Sequence, residues 1–151
     1  MQEPQTAVTS AQCYCGAVKL LIAAGAKSVI HCHCGQCRRL SGSAFTTWVS
    51  FPKLAMELTG QESVAEYNAT TNVKRHFCRS CGSHVYTLDS RAPEIVGVPA
   101  GAIEGELPKQ PKAHYFVSHK AAWHSICDPL RQFGGELGFE PTAASQETPS
   151  K

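Results

Sequence analysis

HCHCGQCRRL, residues 31–40, contains three cysteines with the spacing Cys32-x-Cys34-x-x-Cys37. The chain has two further pairs, Cys13-x-Cys15 and Cys78-x-x-Cys81. Seven of its eight cysteines therefore fall in three tight clusters. A tetrahedral zinc ion takes four ligands, so two closed sites would need eight. Seven predict one complete site and one site with three thiolates and an open position, which is the usual arrangement of a catalytic zinc.

Ligand counting indicates which clusters share a metal ion. The two pairs complete one tetrahedron and the group of three remains, which gives these ligand sets: Cys13, Cys15, Cys78 and Cys81; Cys32, Cys34 and Cys37. Alternate side chains of a strand share a face, so each Cys-x-Cys can hold a metal from a strand end. The same alternation projects His31 and His33 to the opposite face, which argues against either as a ligand.

An even cysteine count also admits a disulfide framework, but the spacing argues against it. Two cysteines separated by one residue cannot easily bond to each other. The opening residues MQEPQTAVTSAQ lack the basic-then-apolar pattern of a secretory signal. We therefore expect a cytoplasmic protein whose reduced thiols bind two Zn²⁺ per chain. Cys127 stands apart from the clusters, and we expect a buried, inert thiol there.

Composition is consistent with one modest domain acting on a small molecule. A chain of 151 residues with 42% hydrophobic content can bury its own core. The net charge of +2 and the 17% charged fraction give no sign of a nucleic-acid partner or an anionic membrane surface. No apolar run approaches the roughly 20 residues of a membrane span. The expected partner is a small-molecule substrate, with no nucleic acid and no membrane, and a homodimer is left open.

Short strands with two-residue alternation or β-branched residues predict a mainly antiparallel β fold. The predicted strands are Ala17–Ala23, Ser28–Cys32, Ala44–Phe51, Leu54–Leu58, Ser63–Tyr67, Val73–Phe77, His84–Leu88, Ile95–Val98 and His114–Val117. Only Gln36–Leu40 and Ala121–Cys127 favour one or two helical turns. Phe45, Trp48 and Trp123 are expected in the core. We predict a single domain over residues 12–133, with disordered tails at 1–11 and 134–151.

Three motifs, taken in order, resemble the glutathione-dependent formaldehyde-activating enzyme family, also called the GFA or CENP-V-type domain. They are HCHCGQCRRLSG followed by SAFTTWVSF, then RHFCRSCGSHVY, then PKAHYFVSHKAAWHSICDPLRQF. The resemblance runs from about Cys13 to Phe133. It implies an Mss4-like β-tent of small antiparallel sheets around zinc, with a structural site on the four paired cysteines and a catalytic site on Cys32, Cys34 and Cys37. It also favours His84 and His114 as substrate or proton-carrying residues.

A site of three thiolates suits a thiol substrate. Zinc bound by three thiolates carries a formal charge of −1 and is a weaker Lewis acid than zinc bound by neutral histidines. It can still take a soft thiolate as its fourth ligand. We therefore predict a carbon–sulfur lyase or transferase that acts on a thiol adduct of a small carbonyl compound, such as glutathione with formaldehyde. Arg38, which follows Cys37, could lower the thiolate pKa values or hold a substrate carboxylate.

Two other functions stay open at this point. A zinc-dependent hydrolase of a C=N or similar bond would use a glutamate as general acid and base, and no Glu lies close to the Cys32 cluster in the sequence. A zinc-stabilised binding module without catalysis would use basic residues near the cysteines, namely Arg38, Arg39, Lys74, Arg75 and Arg79.

Overall fold

Short β-strands make up most of the computed structural model, which describes residues 7–143. In chain order they are β1 Thr9–Gln12, β2 Lys19–Ile22, β3 Ser28–Cys32, β4 Thr46–Pro52, β5 Met56–Thr59, β6 Val64–Asn68, β7 Val73–Cys78, β8 His84–Asp89, β9 Ile95–Pro99, β10 Ala113–Tyr115, β11 Arg131–Gly134 and β12 Glu140–Pro141. The described residues include one α-helix, α1 Gly35–Ser41, and 3₁₀ turns at Lys53–Ala55, Gln61–Ser63, Ala100–Ala102 and Val117–His119. None of these helices is long and apolar enough to span a membrane. The predicted mainly β fold is confirmed.

Every segment that the sequence predicts as a strand overlaps an observed strand. For example, β4 begins two residues after the start of the predicted segment Ala44–Phe51 and ends one residue beyond it, at Pro52. The predicted turn of helix at Gln36–Leu40 lies inside α1. The second predicted turn, Ala121–Cys127, is not helical, and Val117 begins a 3₁₀ turn instead of ending a strand.

Strands also occur in both segments that we predicted as disordered tails. Residues 9–11 belong to β1, and the predicted C-terminal tail contains Gly134 of β11 and all of β12. Pairing explains the first difference, because Ala11 pairs with Leu20 of β2 and the polar segment gains backbone partners that its own sequence does not indicate. The remainder of the predicted tails, 1–6 and 144–151, lies outside the described residues, and the domain limits at 12 and 133 stay predictions.

The first of two compact units comprises the chain up to Ser28 and Val49–Lys109. It contains an antiparallel sheet with the order β1-β2-β5 and an antiparallel series with the order β9-β8-β7-β6, with the later part of β4 beside β9. Buried residues of these strands, together with the neighbouring Val18, supply its core, which includes Val18, Leu20, Ile22, Phe51, Val85, Val96 and Val98. The loop after β1 carries Cys13 and Cys15, while Cys78 ends β7 and Cys81 lies in the loop that follows it.

The second unit comprises Val29–Trp48 and the chain from Gln110 onward. Its strands have the order β12-β11-β10-β3-β4, with the first residues of β4 included. β10 is parallel to both β3 and β11, which differs from the antiparallel arrangement that we predicted throughout. A parallel pair requires a long connection, and the chain between β3 and β10 supplies one. α1 follows β3 directly, so the three clustered cysteines lie at this strand-to-helix junction.

Two residues that we expected in the interior are exposed. Cys127 is exposed, and the Trp123 residue is 76% exposed. Both lie in Ala121–Cys127, where the backbone forms neither a strand nor a helix, so no regular alternation turns them inward. Trp48, which lies on β4, is buried as predicted.

Candidate metal-binding and active site

Four cysteine sulfurs converge in the first unit, as ligand counting predicts. Each Sγ of this four-cysteine site (Cys13, Cys15, Cys78 and Cys81) lies within 4.8 Å of the others. The Tyr14 N–H donates to the Ser83 hydroxyl at 2.9 Å, which links the loop after β1 to the loop after β7. Gly16 and Gly82 follow the second cysteine of each pair with φ of 77° and 76°, values that favour glycine.

The sulfur spacing fits a tetrahedral metal ion. Zinc–sulfur bonds of about 2.3 Å at tetrahedral angles place the sulfurs about 3.8 Å apart. The Cys13 and Cys15 sulfurs are 3.6 Å apart, and the Cys15 and Cys78 sulfurs are 3.7 Å apart. The Val18 N–H also donates to the Cys13 sulfur at 3.3 Å, as backbone amides do in zinc knuckles. Four converging thiolates suit a structural zinc site.

The acidities of these thiols indicate that a cation would stabilise the four-cysteine site with all of its sulfurs ionised. Hydrogen bonds from the Ser83 hydroxyl and N–H lower the pKa of Cys81 to about 5. The Ala17 N–H would lower the pKa of Cys15, but the neighbouring Cys13 thiol and burial raise it to about 11. Adjacent sulfurs therefore resist ionising together, and a divalent cation removes that repulsion.

Three more sulfurs converge in the second unit, at the junction of β3 and α1. The Sγ atoms of this three-cysteine site (Cys32, Cys34 and Cys37) lie within 4.8 Å of one another. Cys32 ends β3, and Cys34 is the N-cap of α1, where its sulfur accepts the Cys37 N–H at 3.3 Å. Gly42 ends the helix in the left-handed conformation with φ 67°. Within residues 7–143, no fourth Cys, His, Asp or Glu joins the group at that distance.

The three-cysteine site is largely closed to water. Cys32, Cys37 and Trp48 form a buried cluster, against which the half-buried Ile30, Cys34 and Phe116 pack. The indole Nε1–H of Trp48 donates to the Cys37 sulfur at 3.4 Å, and the Thr46 hydroxyl donates to the Cys37 carbonyl at 3.1 Å. Hydrogen bonding to the other two thiols, together with burial, raises the pKa of Cys32, so this site also requires a cation to hold three thiolates.

His31 and His33 point away from the three sulfurs, as the strand alternation predicts. The His31 Nδ1 and the Thr47 hydroxyl are 2.8 Å apart. The Nε2 of His33 and the Nδ1 of His114 are also 2.8 Å apart, and both rings are buried. β10 supplies this second contact, because its parallel pairing places Tyr115 opposite Cys32 and His114 opposite His31.

Asp128 completes a hydrogen-bonded chain through these histidines. Its carboxylate lies 3.0 Å from the Nε2 of His114. Burial would raise the pKa of Asp128, but the Leu130 N–H and His114 hold it below its usual value. The carboxylate therefore accepts the Nε2–H of His114, which leaves the Nδ1 of His114 as the acceptor for the Nε2–H of His33. Burial, with His114 and His124 nearby, lowers the pKa of His33 to about 4 and keeps its ring neutral.

The residues predicted to contact substrate are in different places. His114 is buried in the chain just described. His84 begins β8 in the first unit and lines a cavity of about 470 Å³ with Cys13, Tyr14 and Ser83. Arg38 is half-buried on α1, and its Nε is buried without a hydrogen-bond partner among residues 7–143. A substrate role for these three residues stays a prediction.

Sequence reasoning missed three contributors to the second unit's site. Asp128 reads as a turn residue, Phe116 as part of a strand, and Trp48 as core with no polar role. Their own neighbours in the sequence do not mark them. Trp48 contacts Cys37, which is 11 residues away, and Asp128 contacts His114, which is 14 residues away. The contact of Phe116 depends on the pairing of β10 with β3.

Comparison with known proteins identifies the family to which the chain belongs. The glutathione-dependent formaldehyde-activating enzyme family matches residues 8–119. A protein of Halomonas elongata, provisionally named a glutathione-dependent formaldehyde-activating enzyme, is 30% identical over 122 residues, which are 76% of this chain and 78% of that protein. A crystal structure of a Rhodobacter sphaeroides protein matches with a TM-score of 0.55 and 27% identity, over 66% of this chain and 91% of the other. The chain belongs to the glutathione-dependent formaldehyde-activating enzyme family.

Proposed function

We propose that this protein is a zinc-dependent carbon–sulfur lyase or transferase that makes and breaks the thiol adduct of a small carbonyl compound. The observation that carries the proposal is the three-cysteine site, which has three converging sulfurs and no fourth protein ligand among the described residues. Family membership gives glutathione and formaldehyde as the first thiol and carbonyl to test.

We propose two zinc ions per chain. The four-cysteine site would hold the structural ion and the three-cysteine site the catalytic ion. When bound there, zinc supplies a soft Lewis acid with an open position, which lowers the pKa of a thiol that occupies it.

The reaction balances without a further co-reactant. In the forward direction the thiol sulfur forms a bond to the carbonyl carbon, the C=O bond becomes C–O, and the proton lost by the thiol ends on that oxygen. In the reverse direction the C–S bond breaks and the hydroxyl proton returns to sulfur.

The chain's own residues would prepare the site for this step. The Trp48 N–H directs a hydrogen bond at the Cys37 sulfur and draws charge away from it, so less negative charge opposes an incoming thiolate. The buried cluster of Cys32, Cys37 and Trp48 excludes water, which would otherwise hydrate the carbonyl compound. Arg38, on the helix that carries Cys37, offers a positive charge for a substrate carboxylate.

The two alternatives have less support. A C=N hydrolase would need a carboxylate beside the metal, and none of the described Asp or Glu side chains joins the three sulfurs. Three of the five basic residues of a nucleic-acid-binding module are engaged elsewhere: Lys74 pairs with Glu66, Arg75 is buried, and Arg79 donates to the Val64 carbonyl.

The proposal is tested by following exchange between formaldehyde, glutathione and their adduct by ¹³C exchange NMR. Zinc-loaded protein should accelerate the exchange. The Cys34→Ser variant should lose the acceleration and one zinc per chain, while Cys127→Ser should retain both. Failure of the wild type to accelerate exchange, or full activity in Cys34→Ser, would rule out this function.

We also propose a reducing compartment such as the cytoplasm. All eight cysteines are free thiols, and two of them, Cys15 and Cys127, are exposed. A homodimer stays a prediction, which light scattering of the zinc-loaded protein would test.

A further inference from the structure

We propose that Phe116 is a specificity-determining residue of the three-cysteine site, where its ring limits the bulk that a substrate can carry next to its sulfur. The inference rests on the proposed function and adds to it the residue that would exclude thiols branched at the carbon that bears sulfur. It is carried by the position of Phe116, by its backbone conformation and by the packing that holds its ring.

Phe116 follows β10 directly and lies beside the clustered cysteines. Tyr115, the last residue of β10, pairs with Cys32, and the Tyr115 carbonyl accepts the His33 N–H at 2.9 Å. The ring of Phe116 packs against the buried cluster of Cys32, Cys37 and Trp48. The short strand therefore delivers this side chain to the sulfurs.

The backbone of Phe116 is held in an unfavourable conformation. Its φ of 59° and ψ of 35° lie in the left-handed region, and it is the one non-glycine with positive φ among residues 7–143. A bulky side chain in that region costs free energy, and such strain persists where the surrounding structure fixes it, often at ligand sites. Here the Phe116 N–H donates to the Gly138 carbonyl at 3.0 Å, and its carbonyl accepts the His119 N–H at 2.9 Å.

The packing around Phe116 is shaped to its ring. A Cβ added at Gly138 would lie 2.2 Å from the Cδ1 of Phe116, so only glycine leaves room for the ring there. Phe139 meets the ring edge to face, with centroids 5.4 Å apart. Glycine on one side and an aromatic edge on the other hold the ring at a defined position.

The ring belongs to the more exposed surroundings of the buried cluster. Cys32, Cys37 and Trp48 are at most 7% exposed, whereas Cys34, Ile30 and Phe116 are half-buried. The proposed approach of a thiol to the three sulfurs is therefore past these half-buried residues, of which Phe116 has the largest side chain. The ring is apolar and offers a substrate no hydrogen bond. Because its backbone is fixed, the ring also leaves little room, so it should discriminate between thiols by their size.

The test uses cobalt-substituted protein, whose visible absorption changes when a thiol enters the coordination sphere. The probes are 3-mercaptopropan-1-ol and 3-mercapto-3-methylbutan-1-ol, which differ only by two methyl groups on the carbon that bears sulfur. Wild type should bind the unbranched thiol at least about tenfold more tightly, a ratio within the range for misfitting groups in a packed pocket. Phe116→Gly removes the ring and suits the left-handed backbone, so it should fold and reduce the ratio to about twofold or less.

Phe133→Leu is the matched control, since Phe133 stacks on Tyr115 in the same unit and is not part of the packing around the three sulfurs. It should keep the wild-type ratio. An unchanged ratio in Phe116→Gly would overturn the role of Phe116 and leave the proposed function intact. Absence of any thiol-induced spectral change in wild type would overturn both.

Discussion

At the scale of single residues, one hydrogen bond from Trp48 should affect how firmly the three-cysteine site binds its metal. The indole N–H donates to the Cys37 sulfur in a buried setting, and phenylalanine would keep most of the ring while removing that donor. A net loss of about 1 kcal/mol corresponds to a roughly five- to tenfold weaker affinity for zinc.

Competition with a chromophoric chelator would measure the effect of Trp48→Phe. Trp123→Phe is the natural control, because it makes the same substitution at an indole of the same unit that is mostly exposed. Equal zinc affinity in Trp48→Phe and wild type would show that the hydrogen bond does not support the site.

Asp128 gives a second prediction at this scale, in the pH dependence of stability. Because its pKa is lowered in the folded protein, its stabilising contribution should be complete above about pH 4, the unfolded value, and lost as the pH falls through the folded value. Asp128→Asn should therefore cost about 1 kcal/mol at pH 7, after allowance for the partial exposure of the carboxylate.

The difference between Asp128→Asn and wild type should shrink as the pH falls below 4, which denaturant titrations at several pH values would measure. In the wild type, ¹⁵N-correlated NMR should find the proton of neutral His114 on Nε2, as the hydrogen-bonded chain requires. A proton on Nδ1, or a difference in stability that does not change with pH, would contradict the arrangement.

At the scale of elements, the sequence indicates strands well and their partners poorly. Two-residue alternation depends on which face of a strand is buried, and that pattern is local, as in Thr46–Pro52. The sequences of β1 and β12, TSAQ and EP, contain too few apolar residues to show it, and these strands gain their backbone partners from the adjacent strands β2 and β11. The parallel pairing of β10 instead depends on β3, a strand distant in sequence. It explains why the ligand sets could be predicted from spacing, while the contacts of His33 and Phe116 could not.

A prediction at this scale concerns the connection between β5 and β6. Gly60 adopts a φ of 82°, and a Cβ there would lie 1.8 Å from the Ala17 carbonyl oxygen. Because this backbone cannot move away without disturbing the loop that carries Cys15, Gly60→Ala should lower the free energy of unfolding by about 2 kcal/mol or more. Gly25→Ala, where an added Cβ meets no atom within 4 Å, should have little effect in the same denaturant titration. Comparable losses in the two variants would refute this account.

At the scale of the whole molecule, the two metal sites differ in how much chain they join. The four-cysteine site links the loop after β1 to the end of β7 and the loop that follows it, and Cys15 and Cys78, whose sulfurs are 3.7 Å apart, are separated by 63 residues in sequence. The three-cysteine site takes all its sulfurs from one strand-to-helix junction. By the chain-entropy estimate for a cross-link, a loop of that length contributes about 4 kcal/mol and a loop of a few residues about 2 kcal/mol.

Losing the metal from the four-cysteine site should therefore destabilise the protein more. We compare the double variants Cys13→Ser/Cys15→Ser and Cys32→Ser/Cys34→Ser. Each replaces one buried and one more exposed cysteine, and each leaves its site with too few thiolates to bind zinc. Each variant should retain one zinc per chain, measured by elemental analysis, and the first should unfold at a lower denaturant concentration by the equivalent of about 2 kcal/mol. A larger loss in the second variant would mean that the three-cysteine site also maintains the fold, and its assignment as a catalytic site would weaken accordingly.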